Sequence, residues 1–292
     1  MKNLKFILVI ALMCAVAVSC TKEGQFKPKK KISQISYTES YKSEYWDEYG
    51  SEWIVEGQGT SNYVGQRWNW NGNVLEGIDF YSSDGTLDYS EKYTYKGKQL
   101  STISWGGSGR FELVYEKGKL SSIDYYSGSS LLVSYVFTHD GSKISKITVN
   151  SYDAKATVEH PLPSWLLNVP ARDFMKASRD NSSYEYEFEW DGNNVKRLTY
   201  LAPDEREDYY FSYDNKLNPL YGLWDTEEFD FISIMSKNNV TRLEYTSDGE
   251  THVNNYSYTY DGKYPATMTR TYISSSSTYR YTSTETTFYD YQ

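Results

Sequence analysis

Apolar and polar positions alternate with period two along most of this chain, in short runs divided by turn dipeptides. Trp68-x-Trp70-Asn71-Gly72 leads to Leu75 and Ile78-x-Phe80, and Tyr93-x-Tyr95-Lys96-Gly97 leads to Leu100 and Ile103-x-Trp105. Taking the turn residue as the marker, modules fall at Gly72, Gly97, Gly118, Gly141, Gly192, Asn215, Lys237 and Gly262. The spacing is about 21–25 residues, with one double step after Gly141, and a period of that size defines an architecture. Ser, Thr, Asp, Asn, Glu and Lys fill most intervening positions, which is the pattern of half-buried antiparallel strands. Asn71-Gly72, Asp140-Gly141, Asp191-Gly192 and Asp261-Gly262 supply residues that accept positive φ in tight hairpins. Asp214-Asn215 replaces the Gly by Asn, and Asp84-Gly85 and Asp248-Gly249 turn the opposite ends.

The expectation is therefore an all-β fold, an antiparallel meander of about fifteen strands. One face of such a sheet is aromatic, so it must curl, pair with itself or be covered. A closed barrel of this strand count is expected to be too wide for side chains to fill. The pattern thus predicts a large twisted sheet curled around its own aromatic face. The double step holds an insert over residues 153–182, where Ser164 caps a short helix that Pro170 interrupts, giving helical structure near residues 164–178. This is the only helical stretch expected in the mature chain, and it is expected to plug or lid the aromatic face.

The start of the chain follows another logic. Lys2 and Lys5 precede an apolar stretch from Phe6 to Val18 that is short for a membrane span and ends in Ala17-Val18-Ser19-Cys20. Residues 1–19 read as a lipoprotein signal peptide, with Cys20 acylated after cleavage. Residues 20–31, polar, basic and holding a Pro, read as a flexible tether, and residues 32–292 as one hairpin-repeat domain. Thr21 after the cysteine favours the outer membrane, facing the periplasm or the cell surface. Cys14 leaves with the leader, so the mature chain has no disulfide and no thiolate site.

Composition narrows the partners. The net charge is −9, or −11 once Lys2 and Lys5 are removed, which argues against nucleic acid. Aromatic content is high, with 31 Tyr, 8 Trp and 11 Phe. Tyrosine suits a half-buried strand because its ring packs while its hydroxyl stays wet.

Candidate chemistry is sparse. His139, His160 and His252 lack metal-ligand spacing, so no metal or cofactor is expected. Acidic clusters at Asp47-Glu48, Asp204 to Asp208 and Glu227-Glu228 read as solubilising loop tips, since strand neighbours point to opposite faces. No nucleophile elbow, calcium loop or phosphate loop appears. Trp68, Trp70, Trp105 and Trp190 fall on the in-facing register and are assigned to the core. Trp46, Trp53 and Trp224 lie in irregular sequence and are the candidate ligand-binding rings.

The cadence of Tyr, Asp, Gly and Leu resembles the YD repeats of RHS-type and teneurin-type proteins. More closely, residues 213–223 (YDNKLNPLYGL) and 260–266 (YDGKYPA), with Asn238-Asn239-Val240-Thr241-Arg242-Leu243 between them, resemble Bacteroidetes lipoproteins of unknown function. That resemblance covers roughly Trp68 to Tyr272 and implies an all-β secreted or surface protein, with no catalytic residue to carry over. Several turns depart from it by holding Lys-Gly where Asp-Gly is usual. The resulting expectation is a monomeric, non-enzymatic, lipid-anchored module binding a glycan or an envelope protein. The alternatives are an accessory component of an outer-membrane complex and a surface glycoside hydrolase.

Overall fold

The computed structural model describes residues 23–107, 109–152, 183–203, 205–224, 231–247, 250–275 and 277–292. Its strands run in chain order: β1 (Ile32–Asp47), β2 (Glu52–Asn71), β3 (Val74–Tyr81), β4 (Leu87–Lys96), β5 (Gln99–Ser104), β6 (Gly109–Glu116), β7 (Lys119–Ser127) and β8 (Ser130–Asp140). The second half holds β9 (Lys143–Ser151), β10 (Ser183–Asp191), β11 (Asn194–Ala202), β12 (Glu205–Leu217), β13 (Asn238–Ser247), β14 (Glu250–Asp261), β15 (Tyr264–Ser275) and β16 (Tyr279–Tyr291). Among the described residues one short helix, α1, spans Phe231–Met235.

Each strand pairs antiparallel with the next, so the meander read from the sequence is present. The open sheet is not. β16 pairs with β1 from Ile32↔Tyr291 to Tyr45↔Tyr279, and the sheet closes into a 16-stranded barrel. The expectation that so many strands leave too wide a lumen missed what fills it. The connection from β12 to β13 turns inward, and Leu223, Trp224, Phe231, Ile232, Ile234 and Met235 are all buried among the wall residues. Phe231 packs on Tyr135, Phe137 and Tyr186, and Trp224 meets Phe137 edge to face at 5.9 Å. By pattern alone this segment is a repeat module marked by Asn215 and Lys237. In fact β12 runs straight through Asp214-Asn215, and α1 is a helix outside the expected 164–178 region. The insert at 153–182, with its expected helix, lies outside the described residues.

A repeated device ties one hairpin to the next. In seven hairpins the ladder is irregular immediately before the second residue of the aromatic pair: Trp70, Tyr95, Tyr115, His139, Trp190, Tyr213 and Tyr260. Such a bulge removes groups from the ladder, and a buried carbonyl left out of it needs another donor. Aromatic side chains supply it across the wall. Tyr95 donates its hydroxyl to the Leu75 carbonyl, Tyr115 to Leu100 and Tyr213 to Val195, at 2.7–2.8 Å. Trp70 and Trp190 donate their indole N–H to Ile32 and Ile144, both at 2.7 Å, and Tyr258 and Tyr291 cap Val240 and Pro265 at 2.8 Å. Phe has no donor for this position, which explains why the repeat spends Tyr and Trp there. The hairpin turns carry glycines at positive φ, such as Gly72 at 56° and Gly262 at 64°. At Gly77 the need is different: a Cβ there would stand 2.0 Å from the Glu91 carbonyl oxygen of the next strand.

The lumen is mainly apolar toward the strap end and the outer wall is charged. Leu75, Ile78, Leu100, Ile103, Leu120, Ile123 and Ile147 face in and are fully or almost fully buried, as are the core aromatics Trp68 and Tyr93. Trp70, Trp105 and Trp190 pack against that core, as assigned from the register. Outward positions hold ion pairs such as Arg110–Glu112 at 2.7 Å, Lys146–Glu185 at 2.8 Å and Arg197–Glu189 at 3.3 Å. A lipid-facing barrel reverses this order, and each basic side chain at a bilayer midplane costs about 2–4 kcal/mol. This wall is built to face water.

Part of the expected tether is structured. Phe26 is buried against Trp68 and Trp70, with ring centroids 6.3 and 6.0 Å away. The Gly24 carbonyl accepts from the Leu100 N–H, and the Glu23 carboxylate accepts from the Leu120 N–H at 2.6 Å and contacts His139 Nε2 at 3.2 Å. His139 occupies a position where the repeat normally places a capping Tyr or Trp, and Glu23 uses that opening. Residues Glu23 to Lys31 therefore form a strap over one end of the barrel rather than a free linker. Apolar contact and hydrogen bonds hold it, where composition alone suggested a solvated chain.

Two outcomes follow for stability. Phe231→Ala removes the ring that joins α1 to three strands and should cost about 3–5 kcal/mol in denaturant unfolding, against less than about 1 kcal/mol for Val136→Ala on the outer wall. Burial pushes Tyr95 and Tyr245 from 10.0 up to about 12. The folded chain therefore keeps phenol protons that the unfolded chain releases, so stability is intact below pH of about 10 and falls as pH rises toward about 12. Phenolate absorbance followed alongside circular dichroism should show these tyrosines ionising with unfolding, not before it.

Candidate functional site

The described residues do not fill the lumen throughout. Above the inserted segment a cavity of about 410 Å³ remains, lined by Tyr37, Tyr63, Tyr89, Tyr256, Tyr258 and Tyr289 among others. Its base is Asn218, Pro219, Leu220 and Ser233 of the inserted segment, and its far side reaches Tyr81 and Asp88 near the β3–β4 turn. It therefore faces the barrel end opposite the strap.

The wall formed by β14, β15, β16, β1 and β2 organises the polar groups of this cavity. Register places side chains in layers. Tyr258, Met268, Thr287, Tyr37 and Tyr63 lie directly across from one another on successive strands. One layer nearer the mouth come Tyr256, Arg270, Glu285 and Glu39. Beyond that lie Tyr272, Ser283, Tyr41 and Gly59, where Tyr41 lies over the bare glycine. A charged belt thus sits between two tyrosine layers.

Within the belt Arg270 meets Glu285 at 3.0 Å, with both side chains less than one-fifth exposed. Glu39 accepts from the Tyr63 hydroxyl at 2.9 Å. Burial first, then the hydrogen bond to Glu39 and the charges of Glu39 and Glu285, push the Tyr63 phenol well above its usual range, so it remains a donor. Glu39 and Glu285 face each other directly on adjacent strands, an arrangement that like charge disfavours and that the Arg270 guanidinium offsets. Gln66, Asn239 and Thr287 add uncharged donors and acceptors to the lining. Among the described residues no cluster of His, Cys, Asp and Glu is arranged to hold a metal ion.

The sequence-chosen rings fall elsewhere. Trp46 and Trp53 are cross-strand partners at the tip of the β1–β2 hairpin, 5.5 Å apart edge to face, with the Arg280 guanidinium 3.9 Å from the Trp53 ring centroid. Trp224 is 6% exposed and belongs to the inserted core segment, so it presents no ring to a ligand. Cys20 and His160 lie outside the described residues. His252 stacks on Tyr245 at 4.9 Å. Asp47 caps its own turn through the Tyr49 and Gly50 N–H groups, and Asp208 pairs outward with Arg206 at 3.3 Å. Glu207 accepts from Tyr209 within the core layer. Reasoning from sequence passed over Glu39, Tyr63, Arg270 and Glu285. The signal was a charge at an in-facing register position, as in Tyr37-x-Glu39-x-Tyr41 and Glu285-x-Thr287-x-Tyr289.

No protein-family profile matches the chain, so the resemblance to YD repeats and to lipoproteins of unknown function gains no support there. No curated protein matches either. Among the solved structures similar to this chain are two described as porin-like proteins. The one from Bacteroides uniformis ATCC 8492 is 10% identical, covers 89% of this chain and 98% of its own, and has a TM-score of 0.40. The one from Bacteroides vulgatus ATCC 8482 is 12% identical, covers 90% and 99%, and has a TM-score of 0.44. Likeness at that level carries no inference about what this chain does.

Removing the cation of the belt tests its electrostatics. Arg270→Met should destabilise the fold by about 1–3 kcal/mol, and adding Glu285→Gln should recover most of that loss. A double-substitution cycle in urea measures it.

Proposed function

We propose that this chain is a non-enzymatic binding protein of the cell envelope, held there by acylation of Cys20, that takes the end of a glycan into the mouth of its barrel. The observation that carries this reading is the Arg270–Glu285 pair set between tyrosine layers in the cavity lining, with Glu39 holding the hydroxyl of the lining residue Tyr63. Sugars present flat C–H faces and rims of hydroxyls. Tyrosine rings stack on the former, and carboxylates and a guanidinium bond pairs of the latter. The cavity volume falls in the usual range for small-molecule sites of about 300–1,000 Å³.

The hydrolase alternative has one observation in its favour. Glu39 and Glu285 are directly opposed on adjacent strands, and glycoside hydrolysis uses a pair of carboxyl groups. Against it, neither carboxyl lies in the apolar surroundings of a general acid, since Arg270 pairs with Glu285 and Tyr63 donates to Glu39.

Calorimetric titration of the chain carrying Cys20→Ser against a panel of soluble oligosaccharides tests the proposal. Binding is expected for at least one member, weakened about tenfold or more by Tyr37→Ala or Glu285→Gln and unchanged by Val136→Ala. A folded protein that binds no member of the panel would sink the glycan reading, and release of new reducing ends would sink the non-enzymatic one.

A further inference from the structure

The chain is acidic overall, yet its charge is divided between the two ends of the barrel. The turns joining β2 to β3, β4 to β5, β6 to β7, β8 to β9, β10 to β11 and β14 to β15 lie at the strap end. Lys96, Lys98, Lys117, Lys119 and Lys263 are exposed on those turns, Lys237 on the segment entering the lumen there, and Lys27 and Lys29 on the strap. Several acids at this end are already engaged. Asp214 accepts from Tyr260 and Asn239, Asp261 pairs with Lys30, and Glu23 pairs with His139. Glu76, Glu116, Asp140 and Asp191 are exposed but fewer than the lysines. Among the described residues the mouth end is richer in acids: Asp47, Glu48, Glu52, Glu56, Asp84 and Asp88 lie on or beside the β1–β2 and β3–β4 turns, against the exposed Arg206 and Arg280.

The two ends act independently on a charged surface. A ten-residue strand such as β4 spans about 30 Å, whereas the Debye length at physiological salt is about 8 Å. A surface touching the strap end therefore meets the lysines and is screened from the mouth acids. The strap adds a second observation: Glu23 is fixed to β7 and β8 at this end, so the exposed Lys27 and Lys29 of the strap are held among the turn lysines.

We propose that the lysine-bearing end is a membrane-seating surface that rests on anionic lipid headgroups and directs the mouth of the barrel away from the bilayer. Lysine is suited to this as a compact, mobile charge that follows headgroups without fixed geometry. The proposal takes from the envelope reading only that a membrane is at hand. Its test uses neither an acyl chain nor a glycan, so it succeeds or fails apart from that reading.

The experiment is vesicle sedimentation of the chain carrying Cys20→Ser. One set of vesicles holds equal parts phosphatidylglycerol and phosphatidylcholine, the other phosphatidylcholine alone. Binding is expected to the anionic vesicles only and to decline steeply with added salt. Combining Lys96→Glu, Lys98→Glu, Lys117→Glu and Lys263→Glu should weaken it about tenfold or more, with unchanged circular dichroism. The pair Lys96→Gln and Lys98→Gln, milder for folding, should weaken it by a smaller factor, and Glu48→Lys at the mouth should leave it unchanged. Absence of binding to anionic vesicles, equal binding to both kinds, or indifference to the lysine substitutions would overturn the proposal. Capture on dextran sulfate without vesicle binding would overturn it too.

Discussion

The hydrogen bond from a lumen-facing Tyr or Trp to a carbonyl of the preceding hairpin is the interaction on which this barrel depends. Each hairpin bulges before its turn, which bends the strand and strengthens the local twist that a closing sheet needs. The same bulge would leave a buried carbonyl unsatisfied. Tyr95 on Leu75, Tyr115 on Leu100 and Trp190 on Ile144 resolve that conflict with one atom each while their rings fill the lumen. The repeat is therefore more than a pattern of strand and turn. It is a chain of caps in which most modules complete the one before them, and Trp70 on Ile32 and Tyr291 on Pro265 bring the series up to the β1–β16 closure from either side.

Closure then sets the second condition, since a barrel of 16 strands has more lumen than its own side chains fill. The segment between β12 and β13 meets it on one side, where Trp224 and α1 pack on β8 and β10. The strap from Glu23 to Lys31 covers the same end through Phe26. Both fillers enter from the lysine-bearing end, so among the described residues the space left over lies toward the other, and the tyrosine layers and the charged belt lie there. The position of the cavity is a consequence of how the fold is filled.

Much of this was legible in the sequence because it is local. Strand period, turn residues and the inward register of Trp68, Trp70, Trp105 and Trp190 depend on neighbours a few residues away. Closure was not legible, because pairing of β1 with β16 depends on a filler distant from both. Asn215 and Lys237 imitated turn markers while the chain between them left the wall. Trp224 read as a loop ring for the same reason, since an inserted loop and an exposed one share a composition. The belt was missed because Glu39, Arg270 and Glu285 come from strands far apart in sequence, and only the register brings them into one layer. Even the strap follows this rule: nothing near Phe26 announces the two indoles waiting for it.

The carbonyl caps are the claim most open to direct measurement. Tyr95→Phe, Tyr115→Phe and Tyr213→Phe each keep the ring and remove one hydroxyl, with Tyr210→Phe on the outer wall as the reference. Unfolding free energies in urea should fall by about 1–3 kcal/mol for each of the three, the cost of stranding a buried carbonyl, and by less than about 0.5 kcal/mol for the reference. If all four variants are equally stable, the aromatic residues serve the fold by packing alone, and the caps do not hold the barrel together.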